Sequence, residues 1–194
     1  ATQAVVKAEG SKTQADVDSA RTLVNALRDG ADKTNLTNRL NAIQTEIDAK
    51  AQLENLKENA TSAVETAETT KKQVDVDTAR TLVNQLPDGS FKDSLKVRLD
   101  AVQSAIDLAA KVNAATQAVV KAEGSKAQAD VDSARTLVNA LPNGTDKTNL
   151  TNRLNTVQAE IDAQKAIATA TQAVVKAEGT KAQADVDNAR TLVN

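Results

Sequence analysis

The chain returns to the same stretch of sequence four times, and this repetition constrains its fold more than any other feature. ATQAVVKAEG begins at Ala1, Ala115 and Ala170, and a diverged copy, ATSAVETAET, begins at Ala60. A second element, ADVDSARTLVN at 15–25, returns as VDVDTARTLVN at 74–84, ADVDSARTLVN at 129–139 and ADVDNARTLVN at 184–194. A third, NLTNRLNAIQTEID at 35–48, returns at 94–107 and 149–162; the fourth copy stops at Asn194, before its third element. Copies start 59, 55 and 55 residues apart, and residues 1–49 match residues 115–163 at 42 of 49 positions, so copies this similar must pack alike. A repeat of this length is one supersecondary unit that buries its apolar face within itself and against its neighbours. The sequence divides into repeat 1 (1–59), repeat 2 (60–114), repeat 3 (115–169) and a partial repeat 4 (170–194).

Inside each copy the apolar residues recur at helical spacing. The second element offers Val17, Ala20, Val24 and Leu27, and the third offers Leu36, Leu40, Ile43 and Ile47, a 4-3-4 stripe. In repeat 3 the expected core is Val131, Ala134, Val138, Leu141, Leu150, Leu154, Val157 and Ile161. The breaks are as regular as the stripes. Gly10, Gly124 and Gly179 follow the first element, with Thr69 in that place in repeat 2. Gly30, Gly89 and Gly144 sit in LRDG, LPDG and LPNG after the second. Glycine accepts the left-handed conformation that ends a helix, and Pro-Asp-Gly is turn chemistry. Ser11, Thr70, Ser125 and Thr180 each stand three residues before a glutamine, which predicts four capping boxes. Each copy therefore reads as a short helix, a second helix of about four turns, and a third helix.

No Gly, Pro or turn cluster falls between Ser90 and Glu123 or between Thr145 and Glu178, so the third helix of one copy should run into the first helix of the next. The first junction carries four extra residues, slightly more than one turn, which a helical linker absorbs. The expected fold is all-α: tandem three-helix bundle modules joined by shared long helices, a spectrin-like rod of roughly 80–95 Å.

The chemistry on offer is narrow. The chain has no Cys, His, Met, Trp or Tyr and one aromatic residue, Phe91. Imidazole bases, thiolate nucleophiles, soft-metal sites and disulfides are therefore excluded. With 24 Lys+Arg against 26 Asp+Glu, the net charge of -2 and the lack of aromatics argue against a nucleic-acid surface. No apolar run approaches the ~18 residues of a membrane span. The sequence begins without Met or a leader, and is read as a piece of a longer protein.

Two polar motifs recur. Asp16/Asp18, Asp75/Asp77, Asp130/Asp132 and Asp185/Asp187 open the second helices. Residues two apart on a helix point apart, so the motif reads as dipole-stabilising acids and not as a cation site. The second Asp lies three residues before Arg21, Arg80, Arg135 or Arg190, which suggests ion pairs along the helix. Arg39, Arg98 and Arg153 precede the buried Leu of the third element and suggest interhelical ion pairs, with anion recognition as the functional alternative. Phe91 should cover a bundle end, with a partner anchor as its alternative; Lys147, Gln158 and Gln164 read as exposed, and Asn143-Gly144 as a deamidation site. No residue is assigned a catalytic, cofactor-binding or metal-ligating role, and the chain is not read as an enzyme.

ADVDxARTLVNxLPDG followed by LxxRLxxVQxxID resembles the alpha-helical repeat of the C-terminal protoxin half of Bacillus insecticidal crystal proteins. It also resembles tandem arrays in surface proteins of Bacillus, Listeria and related Gram-positive bacteria. The resemblance covers essentially the whole chain. It implies a small helical module of a secreted or cell-wall protein, commonly a spacer projecting a distal domain of the same protein. The alternatives are an adhesive module binding a host protein or a cell-wall component, and a packing segment of a toxin precursor.

Overall fold

The computed structural model describes residues 1–193, and among them there are eight α-helices and no strand. The chain divides into two compact units, residues 1–103 and the residues from Ser104 onward.

In the first unit α1 (Thr2–Ser11), α2 (Gln14–Asn25) and the first half of α3 (Ala31–Thr70) pack on one another. Their core is Val5 and Ala8 from α1, Val17, Ala20 and Val24 from α2, and Leu36, Leu40 and Ile43 from α3. The second half of α3 packs on α4 (Gln73–Gln85). Ala60, Val64, Ala67, Val76, Ala79 and Val83 are buried there, as are Leu95, Leu99 and Val102 at the start of α5 (Ser90–Ser125). In the second unit, α5 residues from Ala115, α6 (Gln128–Asn139) and α7 (Thr145–Thr180) enclose a third core. It contains all eight side chains expected in repeat 3, with Val131, Ala134 and Leu154 fully enclosed. The end of α7 then pairs with α8 (Gln183–Val193). Each fully buried Val or Leu contributes about 1.5–3 kcal/mol by leaving water.

The long helices form as the missing breakers require. α3 has 40 residues and α5 and α7 have 36 each, so the four-residue insertion is taken up as extra helix. The middle helices are shorter than the expected four turns. α2 and α6 have 12 residues each, and α4 has 13. Leu86 leaves α4 with extended backbone (φ -65°, ψ 146°), the conformation forced on a residue before proline, here Pro87.

The termini differ from the sequence reading in three ways. First, Gly10 lies inside α1, and the left-handed residue is Lys12 (φ 47°), followed in the other copies by Lys71, Lys126 and Lys181. Each lysine N–H donates to the carbonyl four residues back, at 2.8 Å for Lys12 to Ala8, and this bond closes the helix. The glycine position makes no such demand, which is why Thr69 can occupy it.

Second, Ser11, Thr70, Ser125 and Thr180 end the first helices and do not cap the second. Thr13 caps α2 instead, its hydroxyl accepting from the Asp16 N–H, while Lys72 and Ala127 precede α4 and α6 with no side-chain cap. Third, Gly30 and Gly144 are extended and precede α3 and α7, so they start helices where the sequence suggested an ending. Only Gly89, at φ 147°, needs glycine's freedom.

Leu27 also departs from its stripe. It is 37% exposed, against 3% for Leu86 and Leu141. Leu86 shares a depression with Leu53 and Lys57, which precede the first element of its own repeat.

Candidate functional site

The polar groups that recur in register form a seam across each bundle. At its centre the Arg39 guanidinium grips Glu9 with two parallel bonds, Nε to Oε1 and Nη2 to Oε2, both 2.7 Å. Arg98 holds Glu68 and Arg153 holds Glu123 in the same fork at 2.7–2.8 Å. The interhelical ion pairs expected of these arginines are thus formed, and the fork that could have read an external anion is occupied by an internal carboxylate.

Beside it lies a reciprocal amide pair. Gln14 and Gln44 each donate Nε2 to the other's Oε1, at 2.9 and 2.7 Å. Gln73 with Gln103 and Gln128 with Gln158 repeat the arrangement. The glutamines expected to reach back to a cap thus reach across to the third helix. Gln158 is accordingly half-buried and paired, whereas Gln164 is exposed as expected.

The Asp-x-Asp motif separates into two roles. Asp16, Asp130 and Asp185 accept from Lys7, Lys121 and Lys176 of the preceding first-element segment at 2.6–2.8 Å. Those lysine hydrogen bonds, aided by Ser11, Ser125 and Thr180, hold all three carboxyls below the usual range. In repeat 2 Thr66 stands where the lysine would be, and Asp75 accepts from the Thr70 hydroxyl. Asp18, Asp77, Asp132 and Asp187 accept from the glutamine four residues earlier, at 2.9–3.0 Å. Among the described residues no arginine pairs with them. Arg21 donates to Asn41, Arg80 to Asp100 and Arg135 to Asn155, all on the third helix. These arginines sit beside Ala20, Ala79 and Ala134 at the edge of the buried stripe, within reach of that helix. Among the described residues no cluster of three acids is placed to hold a metal ion, and no helix is long and apolar enough to cross a membrane.

One role escaped the sequence reading altogether. Lys92 is buried, and its Nζ donates to the carbonyls of Asn84 (3.1 Å) and Leu86 (2.8 Å) at the end of α4 and to Asp88. Lys147 does the same for Asn139 and Leu141, so it is not the idle surface residue it resembled. A cation on the last carbonyls of a helix satisfies orphan acceptors and opposes the dipole. Lys92→Met keeps the stem's packing but strands those carbonyls, and a loss of about 1.5–3 kcal/mol is expected in urea unfolding. Phe91 lies at the same turn, 42% exposed, with the Lys57 ammonium 5.8 Å from its ring centre.

The forks also set an acid limit. The Arg39, Arg98 and Arg153 hydrogen bonds hold Glu9, Glu68 and Glu123 below the ordinary glutamate range. A carboxyl whose folded pKa is depressed stabilises the fold fully above its unfolded value, about 4.3, and loses that contribution as pH falls through the folded value. The thermal midpoint should be flat from pH 7 to 5 and drop below about pH 4.5. Glu68→Gln should lower the midpoint at pH 7 and shrink that acid step.

No protein-family model matches the chain, and no solved structure matches it. Over 159 residues, 82% of its length, it is 40% identical to the Minor extracellular protease Epr of Bacillus subtilis (strain 168). It spans 23% of that relative.

Proposed function

We propose that this chain is a non-catalytic spacer of a secreted protein, holding another domain of the same protein away from the cell surface or cell wall. What carries the reading is the contrast between what the copies keep and what they change. Val17, Ala20, Val24 and Leu40 recur unchanged as Val76, Ala79, Val83 and Leu99 and as Val131, Ala134, Val138 and Leu154, all buried. The Arg–Glu forks and Gln–Gln pairs recur with them. Exposed positions change character: Val6 and Val120, both about half exposed, stand where repeat 2 has Glu65, and Asn38 and Asn152 where it has Val97. Packing is retained in every copy, whereas repeat 2 departs at outward positions that repeats 1 and 3 share, as a spacer allows.

The likeness to part of an extracellular protease supports export, and the absence of His and Cys supports a non-catalytic segment. The resemblance to helical repeats of Gram-positive surface proteins points the same way. The test displays a reporter enzyme on a Gram-positive cell through this chain or through a variant lacking residues 115–169. Deletion should reduce access of a bulky antibody to the reporter while leaving its turnover of a small substrate unchanged. Saturable micromolar binding of the isolated chain to a host matrix protein or wall glycan, abolished by an exposed substitution that leaves the fold intact, would replace the spacer with an adhesive module.

A further inference from the structure

Repeat 3 lacks a carboxylate that repeats 1 and 2 keep at the turn before the third helix. They have Asp29-Gly30 and Asp88-Gly89 there, and repeat 3 has Asn143-Gly144, the chain's one Asn-Gly step. The lysine four residues on is present in all three copies. Lys33 donates to the Asp29 carboxylate at 2.9 Å, and Lys92 to that of Asp88 at 3.1 Å. Lys147 reaches the Asn139 and Leu141 carbonyls, both at 2.9 Å, and among the described residues makes no bond to Asn143. An ammonium carries three N–H donors, so Lys147 keeps one for a further acceptor. Asn143 itself is exposed and outside any helix, and nothing lies within 4 Å of where a Gly144 Cβ would stand. The Gly144 N–H donates to no group among the described residues. Every other described asparagine lies in a helix, where the N–H that follows it is bound to the carbonyl four residues back.

We propose that Asn143 is a modification site at which water displaces the amide nitrogen, and that the aspartate formed closes onto Lys147 as Asp88 closes onto Lys92. The Gly144 nitrogen attacks Cγ of Asn143. The N–Cγ bond forms, and the amide nitrogen leaves as ammonia with the proton that Gly144 gives up. Water then adds to Cγ of the cyclic imide, the N–Cγ bond breaks, and the Gly144 N–H is restored. The balance is asparagine plus water to aspartate plus ammonia, and the chain gains one negative charge. Water adding at the main-chain carbonyl carbon instead gives isoaspartate, whose backbone runs through one extra carbon. Glycine suits the first step because no Cβ shields its nitrogen. The product suits its surroundings because Lys147 stands at the four-residue spacing of the two existing pairs. The Lys92 hydrogen bond holds the Asp88 carboxyl below the usual aspartate range, and the new carboxyl should behave alike. The inference concerns one turn and stands apart from the spacer reading.

The test ages the full chain in mildly alkaline buffer, where the attacking nitrogen gives up its proton more readily, and maps its peptides by mass spectrometry. Exchange of the amide nitrogen for oxygen should accumulate severalfold faster at Asn143 than at any other asparagine, and Gly144→Ala should slow it severalfold. Asn143→Asp, made directly, supplies the aspartate product free of isoaspartate. In nuclear magnetic resonance its carboxyl should titrate below the ordinary aspartate value of about 3.9, and adding Lys147→Gln should return it toward that value. Exchange spread evenly over the asparagines, or indifferent to Gly144→Ala, would overturn the inference. So would a carboxyl at position 143 that titrates identically with and without Lys147.

Discussion

Leu154→Ala should destabilise the protein by about 2–5 kcal/mol, measured as the fall in urea midpoint at constant slope. Leu154 is fully enclosed, facing the α6 wall of Val131, Ala134 and Val138. Its neighbours in that core are mostly Val and Ala, which are too small to collapse into the space it leaves. The cavity therefore stays open, which is the condition for losses at the upper end of that range. The same substitution at Leu40 or Leu99, also fully enclosed, should cost a similar amount because the surroundings recur. Gln164→Ala, at an exposed site of α7, should change stability by less than about 0.5 kcal/mol. A small loss at Leu154 with a large one at Gln164 would mean that the helical stripes have been assigned to the wrong faces.

Asn113→Pro should cost about 3 kcal/mol or more. Asn113 is exposed in the interior of α5, so the change removes no buried side chain. It deletes one backbone N–H and sets a ring against the carbonyl four residues earlier. Asn113→Ala separates the two effects: it removes the side chain's 3.3 Å contact with Gln117 but improves helix propensity, and should be neutral or slightly stabilising. Thermal unfolding followed by circular dichroism reads both. A proline tolerated as well as the alanine would place the end of a helix at this junction.

Most of the fold was legible because its signals are repeated. Apolar spacing in four registers identified the buried faces, and the lack of Gly or Pro from Ser90 to Glu123 announced α5. The Arg–Glu forks followed from an arginine fixed beside a buried leucine. What failed was local backbone detail. Glycine is the residue that most readily turns left-handed, yet in these turns Lys12 and its counterparts do so. The four copies held the clue, since the lysine is present in all of them and the glycine is replaced by Thr69 in one. The Asp18–Arg21 pairing failed because two partners close in sequence were outcompeted by Asn41 across the bundle, a choice visible only once the helices are packed. Lys92 was illegible for the same reason: its carbonyl partners belong to α4, and no sequence pattern distinguishes a capping lysine from a solvated one.

The central structural claim is that adjoining copies share one unbroken helix, the feature on which a spacer would depend. α3 tests it at the junction with the extra four residues. The chain has no native cysteine, so Asn35→Cys and Thr66→Cys, both exposed on α3, can be spin-labelled without background. Pulsed electron–electron distance measurement should give one narrow peak near 46 Å, the length of 31 helical residues at about 1.5 Å each. A broad distribution, or a peak below about 35 Å, would show that the helix breaks between the copies and would contradict the account.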